Sequence, residues 1–231
     1  SDLMPMLIGF DYPGGERFNI FEPTLESFFQ VIRNVANNSR ANLIVWGNLD
    51  IQCLLRLFAP TENERKAVSR GIGSQVRNGE FVGSPPLLRM IGETPFYVGH
   101  YISGRSLRLG FIENGREKTA WVFNASQFYP GTIAQTAKGL GLQWRDFARD
   151  THLIDWKKYR YSRGYRISVH NSNFQDARIV RELADILQIR FHAAFGCYPT
   201  LLVSTGSLTD AAVGKMLSHD PEEYASNSWR W

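Results

Sequence analysis

Three apolar stretches separated by short turn signals constrain the fold of this 231-residue chain more than any other feature. They lie at residues 96–102, 106–112 and 118–124, and the first and third are rich in the β-branched and aromatic residues that favour strands. Ser-Gly-Arg separates the first two, and Asn114-Gly115, a strong hairpin signal, precedes the third. The pattern predicts an antiparallel meander of three strands.

The segments around this meander alternate between strand-like and helix-like patterns. The alternation of residues 17–21 and the turn at Pro13-Gly14-Gly15 predict that the first two strands form a hairpin. Thr61 and Glu64 form a capping box for a short helix that ends near Gly71. The further predicted strands are residues 6–10, 17–21 and 43–46. Further helices are predicted to begin at Thr24 and to span 51–58, 132–142, 174–187 and 207–217. This order predicts an α/β domain layered around a mixed sheet.

Composition excludes several classes of protein. Hydrophobic residues make up 43% of the chain and charged residues 21%, which is typical of a globular protein rather than a disordered one. No apolar run approaches the length needed to cross a bilayer, and residues 1–10 lack the pattern of a signal peptide. With only two cysteines, the simplest expectation is a reducing, cytoplasmic compartment and no membrane partner.

The positive charge is concentrated in one stretch. The chain has a formal net charge of +4, yet no acidic residue occurs between Trp156 and Gln175. Basic and aromatic residues alternate there as in surfaces that contact phosphates and stack bases. The candidate contacts for nucleic acid are Trp156, Lys157, Lys158, Tyr159, Arg160, Tyr161, Arg163, Tyr165 and Arg166. The alternative is a solvated face whose aromatic residues belong to the core.

Three acidic residues occupy comparable positions in the predicted fold. Asp11 ends the first strand, Asp50 follows the strand at 43–46, and Asp176 lies near the start of a helix. Acids at such positions can converge on one edge of a sheet, where they would bind Mg²⁺ or Mn²⁺ through oxygen ligands. Two such ions can activate a water and stabilise the leaving oxygen of a phosphodiester. Alternatively, each acid serves only a turn or a helix N-terminus.

Four segments, IGFD at 8–11, VWGNLD at 45–50, 128–142 and 174–187, carry a family resemblance in their order along the chain. The chain resembles the proofreading 3′–5′ exonuclease domain of family B DNA polymerases, a ribonuclease H-like fold, and is most similar to the protein-primed branch. The resemblance implies a ribonuclease H-like mixed sheet flanked by helices. It divides the chain into an exonuclease-like domain at 1–190 and a helical connection to a polymerase region at 191–231.

The resemblance also assigns residue roles. It makes Asp11, Asp50 and Asp176 the catalytic and metal-binding residues, with Mg²⁺ or Mn²⁺ as cofactor. Asn48 and Thr132 become further contacts for single-stranded DNA or a primer terminus. Other expected partners are the rest of a polymerase chain or replication proteins.

The chain departs from the family at two of its five usual groups. The family's first motif is Asp-x-Glu, but Pro13 stands in place of the Glu, and Ser172 stands where the family has a Tyr. Glu16, Glu22, His170 and Tyr165 are candidate substitutes. We therefore expect a DNA-binding, exonuclease-like domain with impaired or lost nuclease activity, which would bind Mg²⁺ or Mn²⁺ if active and no metal cofactor if the activity is lost. The alternatives are an active two-metal proofreading exonuclease and a non-catalytic structural or partner-docking module.

Overall fold

The computed structural model describes residues 7–11, 17–37, 42–70, 75–77, 80–82, 87–143, 154–199 and 205–217. The strands within these residues are β1 Leu7–Asp11, β2 Arg17–Phe21, β3 Leu43–Val45, β4 Gln75–Arg77, β5 Glu80–Val82, β6 Leu87–Ile91, β7 Thr94–Ile102, β8 Ser106–Glu113 and β9 Arg116–Asn124. The α-helices are α1 Leu25–Asn37, α2 Asn48–Phe58, α3 Glu62–Arg70, α4 Ile133–Gly139, α5 Trp156–Tyr161, α6 Arg163–Phe195 and α7 Thr205–Leu217.

A five-stranded mixed sheet flanked by helices forms the centre of the fold. Its strand order is β3-β9-β8-β7-β6, in which β6 to β9 are antiparallel and β3 runs parallel to β9. Asn114 and Gly115 both have positive φ, at 52° and 70°, as a tight hairpin turn requires. The predicted meander and the α/β class are therefore confirmed.

The first two strands form the predicted hairpin, but β1 does not enter this sheet. Within the described residues β1 and β2 pair only with each other, and β4 and β5 form a further two-stranded sheet. Phe10, Ile8 and Ile20 of the hairpin pack into the main core. The hairpin also contacts α6, so it lies between the core and the long helix.

Aromatic side chains hold α1 and α2 against the sheet. Phe29 of α1 lies 4.9 Å from Phe96 of β7 and 5.3 Å from Phe111 of β8, measured between ring centroids. Phe58 of α2 meets Phe96 edge-on at 4.4 Å. Burial of each such side chain contributes about 1.5–3 kcal/mol, so this cluster is a major source of stability.

The helix predicted at 174–187 is part of the much longer α6, which has 33 residues. It begins where the Ser162 hydroxyl accepts a hydrogen bond from the Tyr165 amide, and it ends at Gly196, whose φ is 67°. The domain boundary predicted at residue 190 falls within this continuous helix. The described part of the segment 191–231 contains α7, and residues 218–231 lie outside the described ones.

None of the helices that the structure describes combines the length and the apolar character that a bilayer span requires.

Candidate functional site

The carboxyl ends of the parallel strands β3 and β9 meet at one edge of the sheet, a usual position for ligand sites in α/β proteins. Asn124 is buried there and organises the loops. Its Oδ1 accepts hydrogen bonds from the amides of Gly47 and Ser126, at 2.8 and 2.9 Å, and its Nδ2 donates to the Gly104 carbonyl. Gly47 has a φ of 128°, which strongly favours glycine at this corner.

Asp50 follows β3 at this edge, and its carboxylate interacts electrostatically with that of Asp176. Asp50 lies in the first turn of α2, and its Oδ2 accepts a hydrogen bond from the Trp46 amide at 3.2 Å. The residue is exposed as a whole, but burial of its carboxyl group raises the pKa to about 6. The Trp46 hydrogen bond lowers this pKa, and the negative charge of Asp176 raises it further. The two carboxylates therefore repel each other in the absence of a cation.

Asn48 lies at the same edge, whereas the Thr132 hydroxyl has a structural role. Asn48 is exposed, packs over Gly104 and accepts a hydrogen bond from Gln52 at 3.3 Å. Thr132 caps α4, where its Oγ1 accepts from the Gln135 amide and the Gln135 side chain accepts from the Thr132 amide. The expected contact of Thr132 with DNA would have to form beside this capping box.

Asp11 departs most from its predicted role. Its side chain is only 1% exposed, and each of its oxygens accepts a hydrogen bond of 2.7 Å from a guanidinium, Oδ1 from Arg17 and Oδ2 from Arg181. For Arg181, burial acts to lower the pKa, but pairing with Asp11 outweighs it and raises the pKa. A metal ion would have to displace both arginines.

A two-metal site at all three acids would therefore require Asp11 to leave its two arginines. Within the described residues, no group of three or more His, Cys, Asp or Glu side chains could hold a metal ion. Asp50 and Asp176 remain as a carboxylate pair, whereas Asp11 acts as the counter-ion of two arginines. The physical reason is the position of β1, which lies outside the main sheet and points Asp11 at α6.

Three of the four candidate substitutes for the missing groups are engaged elsewhere. Glu22 pairs with Arg160 at 3.5 Å. His170 Nε2 lies 2.6 Å from the Tyr159 hydroxyl, and the Tyr165 hydroxyl accepts from the Asp155 amide. Glu16 and Pro13 lie outside the described residues.

The basic stretch forms a second candidate surface, which we call the α5–α6 basic region: residues 156–167. The stretch folds into α5 and the first turns of α6. Both helices carry the same exposed pattern of two cations and one apolar side chain at positions i, i+3 and i+4, which are neighbours on a helix surface. The two triplets are Lys157, Arg160 and Tyr161 on α5, and Arg163, Arg166 and Ile167 on α6.

Charge in the α5–α6 basic region is poorly balanced. Within the described residues, Arg160 is the one basic side chain of the region that pairs with a carboxylate, that of Glu22. Arg163 and Arg166 stand near the N-terminus of α6, which has no acid in its first turn. Cations are unfavourable at the positive end of a helix dipole, so this arrangement favours an external anion.

The aromatic residues of this region divide into two kinds. Tyr159 is buried, with 3% exposure, and its ring stacks on Phe21 of β2 at 5.0 Å, so the predicted base contact would require this ring to be uncovered. Trp156 is half-buried against the same two rings. By contrast, Tyr161 is 82% exposed.

Tyr165 joins the two helices. Besides accepting from the Asp155 amide at 3.1 Å, its half-buried ring lies 5.7 Å from the Lys158 ammonium group. The contact crosses the break at Ser162 and fixes α5 relative to α6. Tyr165 therefore has a structural role, and its ring is partly occupied by Lys158.

Sequence reasoning missed the residues that act across long distances. Arg17 and Arg181 neutralise Asp11, and Phe21 supports α5 from the hairpin. No local spacing indicates these pairs. The position of Arg17 opposite Asp11 does follow from the pairing register of the hairpin.

Comparison of the chain with protein-family models, with curated proteins and with solved structures finds no match.

Proposed function

We propose that this chain is a nucleic-acid-binding domain related to the exonuclease domain of family B DNA polymerases, with nuclease activity impaired or lost. Single-stranded DNA or a primer terminus is the proposed partner. The observation that carries the proposal is the exposed, poorly neutralised set of cations Lys157, Arg160, Arg163 and Arg166.

The placement of these cations supports binding to a polyanion. The four cations lie within ten residues on two adjoining helices, α5 and α6, so their side chains can reach neighbouring phosphates of one strand. An isolated surface cation contributes little, but several phosphate contacts together release counter-ions and give a substantial, salt-dependent affinity.

The relation to a ribonuclease H-like fold remains part of the proposal. The mixed five-stranded sheet with flanking helices is compatible with it, and Asp50 and Asp176 approach each other at the edge where the family carries its site. The separate β1–β2 hairpin is a departure, and it accounts for the different role of Asp11.

The pairing of Asp11 with two arginines supports the proposal that catalysis is impaired. Its carboxylate is already neutralised by two guanidinium groups, so it is a poor ligand for a metal ion. Loss of one catalytic electrostatic contact typically costs about 3–4 kcal/mol in the transition state. That corresponds to a rate about 10²- to 10³-fold lower.

Fluorescence anisotropy with a labelled poly-dT oligonucleotide across a salt series tests the binding. Three phosphate contacts would give a slope of about −2 for log K against log salt. The variant Lys157→Ala/Arg163→Ala is expected to flatten this slope towards about −0.7. Arg116→Ala is the matched control, because Arg116 is an exposed arginine at the start of β9, outside the α5–α6 basic region.

Three results would overturn the proposal. The first is the absence of binding at low salt. The second is binding that the double variant leaves unchanged, which would make the region a solvated face. The third is binding to phosphatidylserine vesicles in preference to the oligonucleotide, because the region would then serve an anionic membrane.

A further inference from the structure

We infer that Tyr161 is the residue by which the α5–α6 basic region distinguishes unpaired bases from a bare phosphate backbone. The inference rests on the proposed function, since it assigns a role within the same surface. It adds a specificity determinant that contacts a base, whereas the neighbouring cations contact phosphates.

The exposure of Tyr161 singles it out among the four aromatic residues of the region. Its side chain is 82% exposed, and it has no ring partner among the described residues. The rings of Trp156, Tyr159 and Tyr165 are each held by a neighbour. A tyrosine ring exposed to this extent makes no contribution to the core, and its face is accessible to a ligand that binds beside the neighbouring cations.

The neighbours of Tyr161 fit a strand whose bases are unpaired. Lys157 and Arg160 lie four residues and one residue before it, and all three are exposed on α5. Cations at these positions can hold the phosphates on either side of a nucleotide while the tyrosine ring stacks on its base. A base within a duplex offers no free face, so this contact would be lost on double-stranded DNA.

The support beneath α5 keeps this ring in place. Tyr159 stacks on Phe21, and Asp155 caps the helix by accepting from the Lys158 amide at 3.0 Å. The two sides of the short helix therefore differ in role: Tyr159 anchors it, and Tyr161 projects into solvent. Since Tyr161 makes no ring contact with the residues that the structure describes, its substitution should leave the fold intact.

Three variants and two ligands test the inference with the full chain. The variants are Tyr161→Phe, which keeps the ring, Tyr161→Leu, which keeps apolar bulk, and Tyr161→Ala. The ligands are a poly-dT oligonucleotide and an abasic strand of equal length, both followed by anisotropy at low salt. Circular dichroism and the Tm establish that each variant is folded.

Stacking predicts a specific pattern of affinities. Tyr161→Ala and Tyr161→Leu should weaken binding of poly-dT about tenfold, whereas Tyr161→Phe should stay within about twofold of the parent. The abasic strand should bind the parent about as weakly as poly-dT binds Tyr161→Ala, and no variant should change that value.

The outcomes separate the inference from the proposed function. If the parent binds poly-dT and the abasic strand equally, or if Tyr161→Leu matches the parent, the inference is overturned while nucleic-acid binding stands. If neither strand binds at low salt, the proposed function fails first. An equal loss on both ligands in Tyr161→Ala would mean a general effect on the surface, and it too would overturn the inference.

Discussion

Asp11 at the end of β1 and Arg181 in α6 form an ion pair of 2.7 Å across a separation of 170 residues. The other oxygen of Asp11 binds Arg17, which faces it across the β1–β2 hairpin. The same interface contains a hydrogen bond of 2.8 Å from Asn173 of α6 to Asn19 of β2. Together these contacts attach the hairpin to the long helix.

Removal of the Asp11 charge should destabilise the protein. In Asp11→Asn, Arg17 and Arg181 lose their shared carboxylate, and we expect the free energy of unfolding to fall by about 2 kcal/mol. The value lies below that of a fully buried pair because the side chains of Arg17 and Arg181 are 44% and 30% exposed. Urea denaturation, read as a shift in midpoint at constant m, measures the change.

Glu62→Gln provides the control for this measurement. Glu62 pairs with Lys66 on the exposed surface of α3, where such pairs contribute little to stability. Unchanged stability in Asp11→Asn would show that the ion pair has no structural role and would return Asp11 to the candidate metal ligands.

Nuclease activity should be absent or very weak. A 3′-labelled single-stranded oligonucleotide incubated with Mg²⁺ or Mn²⁺ is expected to be shortened no faster by the parent than by Asp50→Asn/Asp176→Asn. Without Asp11 as a ligand, the remaining pair does not complete the two-ion site. Turnover by the parent that disappears in the double variant would instead identify an active exonuclease.

Protonation of Asp50 should make stability depend on pH. Its pKa is raised from 3.8 to about 6 in the folded protein. Below pH 3.8 both the folded and the unfolded state hold the proton; as pH rises towards 6, only the unfolded state loses it, and folding becomes less favourable.

The variant Asp50→Asn removes this penalty. We expect it to raise the free energy of unfolding by about 1 kcal/mol at pH 7.5 and to have little effect at pH 4. The effect at pH 7.5 is smaller than the full pKa shift would give, because water screens the charge of an exposed residue. Thermal unfolding at several pH values is the measurement. A variant less stable than the parent at pH 7.5 would show that the carboxylate is favourable where it stands.

Glu22 should compete with nucleic acid for Arg160. Its carboxylate lies 3.5 Å from the guanidinium, and both side chains are more than half exposed. Glu22→Gln is therefore expected to tighten poly-dT binding at low salt about two- to threefold, the size of a weak surface pair. The gain should vanish in the Arg160→Ala background, as in a double-mutant cycle, and a gain of equal size there would contradict the competition.

The local elements of the fold could be predicted because their signals are local. The Asn114-Gly115 turn and the hairpin register of β1 and β2 follow from neighbouring residues. The same holds for the Thr61 cap, where the Glu64 carboxylate accepts from the Thr61 amide at 3.0 Å. Each signal needs only a few consecutive residues, so one sequence suffices to find it.

The candidate site was less predictable because its chemistry depends on distant partners. Asp11 looks like a metal ligand until Arg181 is seen beside it, and Tyr159 looks like a base-stacking residue until Phe21 covers its ring. Asp50 and Asp176 interact electrostatically, although one lies at the start of α2 and the other in α6. Spacing predicts which residues share a strand or helix, but not which elements pack together.

The short helix α5 makes the effects of distant substitutions easy to misread. Its six residues are too few to be stable alone, so its order depends on Phe21 of the hairpin, and the hairpin in turn is attached through Asp11. An alanine scan scored only by DNA binding would therefore place Asp11 and Phe21 among the contact residues. Stability measured on the same variants would separate these two from Lys157 and Arg163, which can be replaced without loosening the fold.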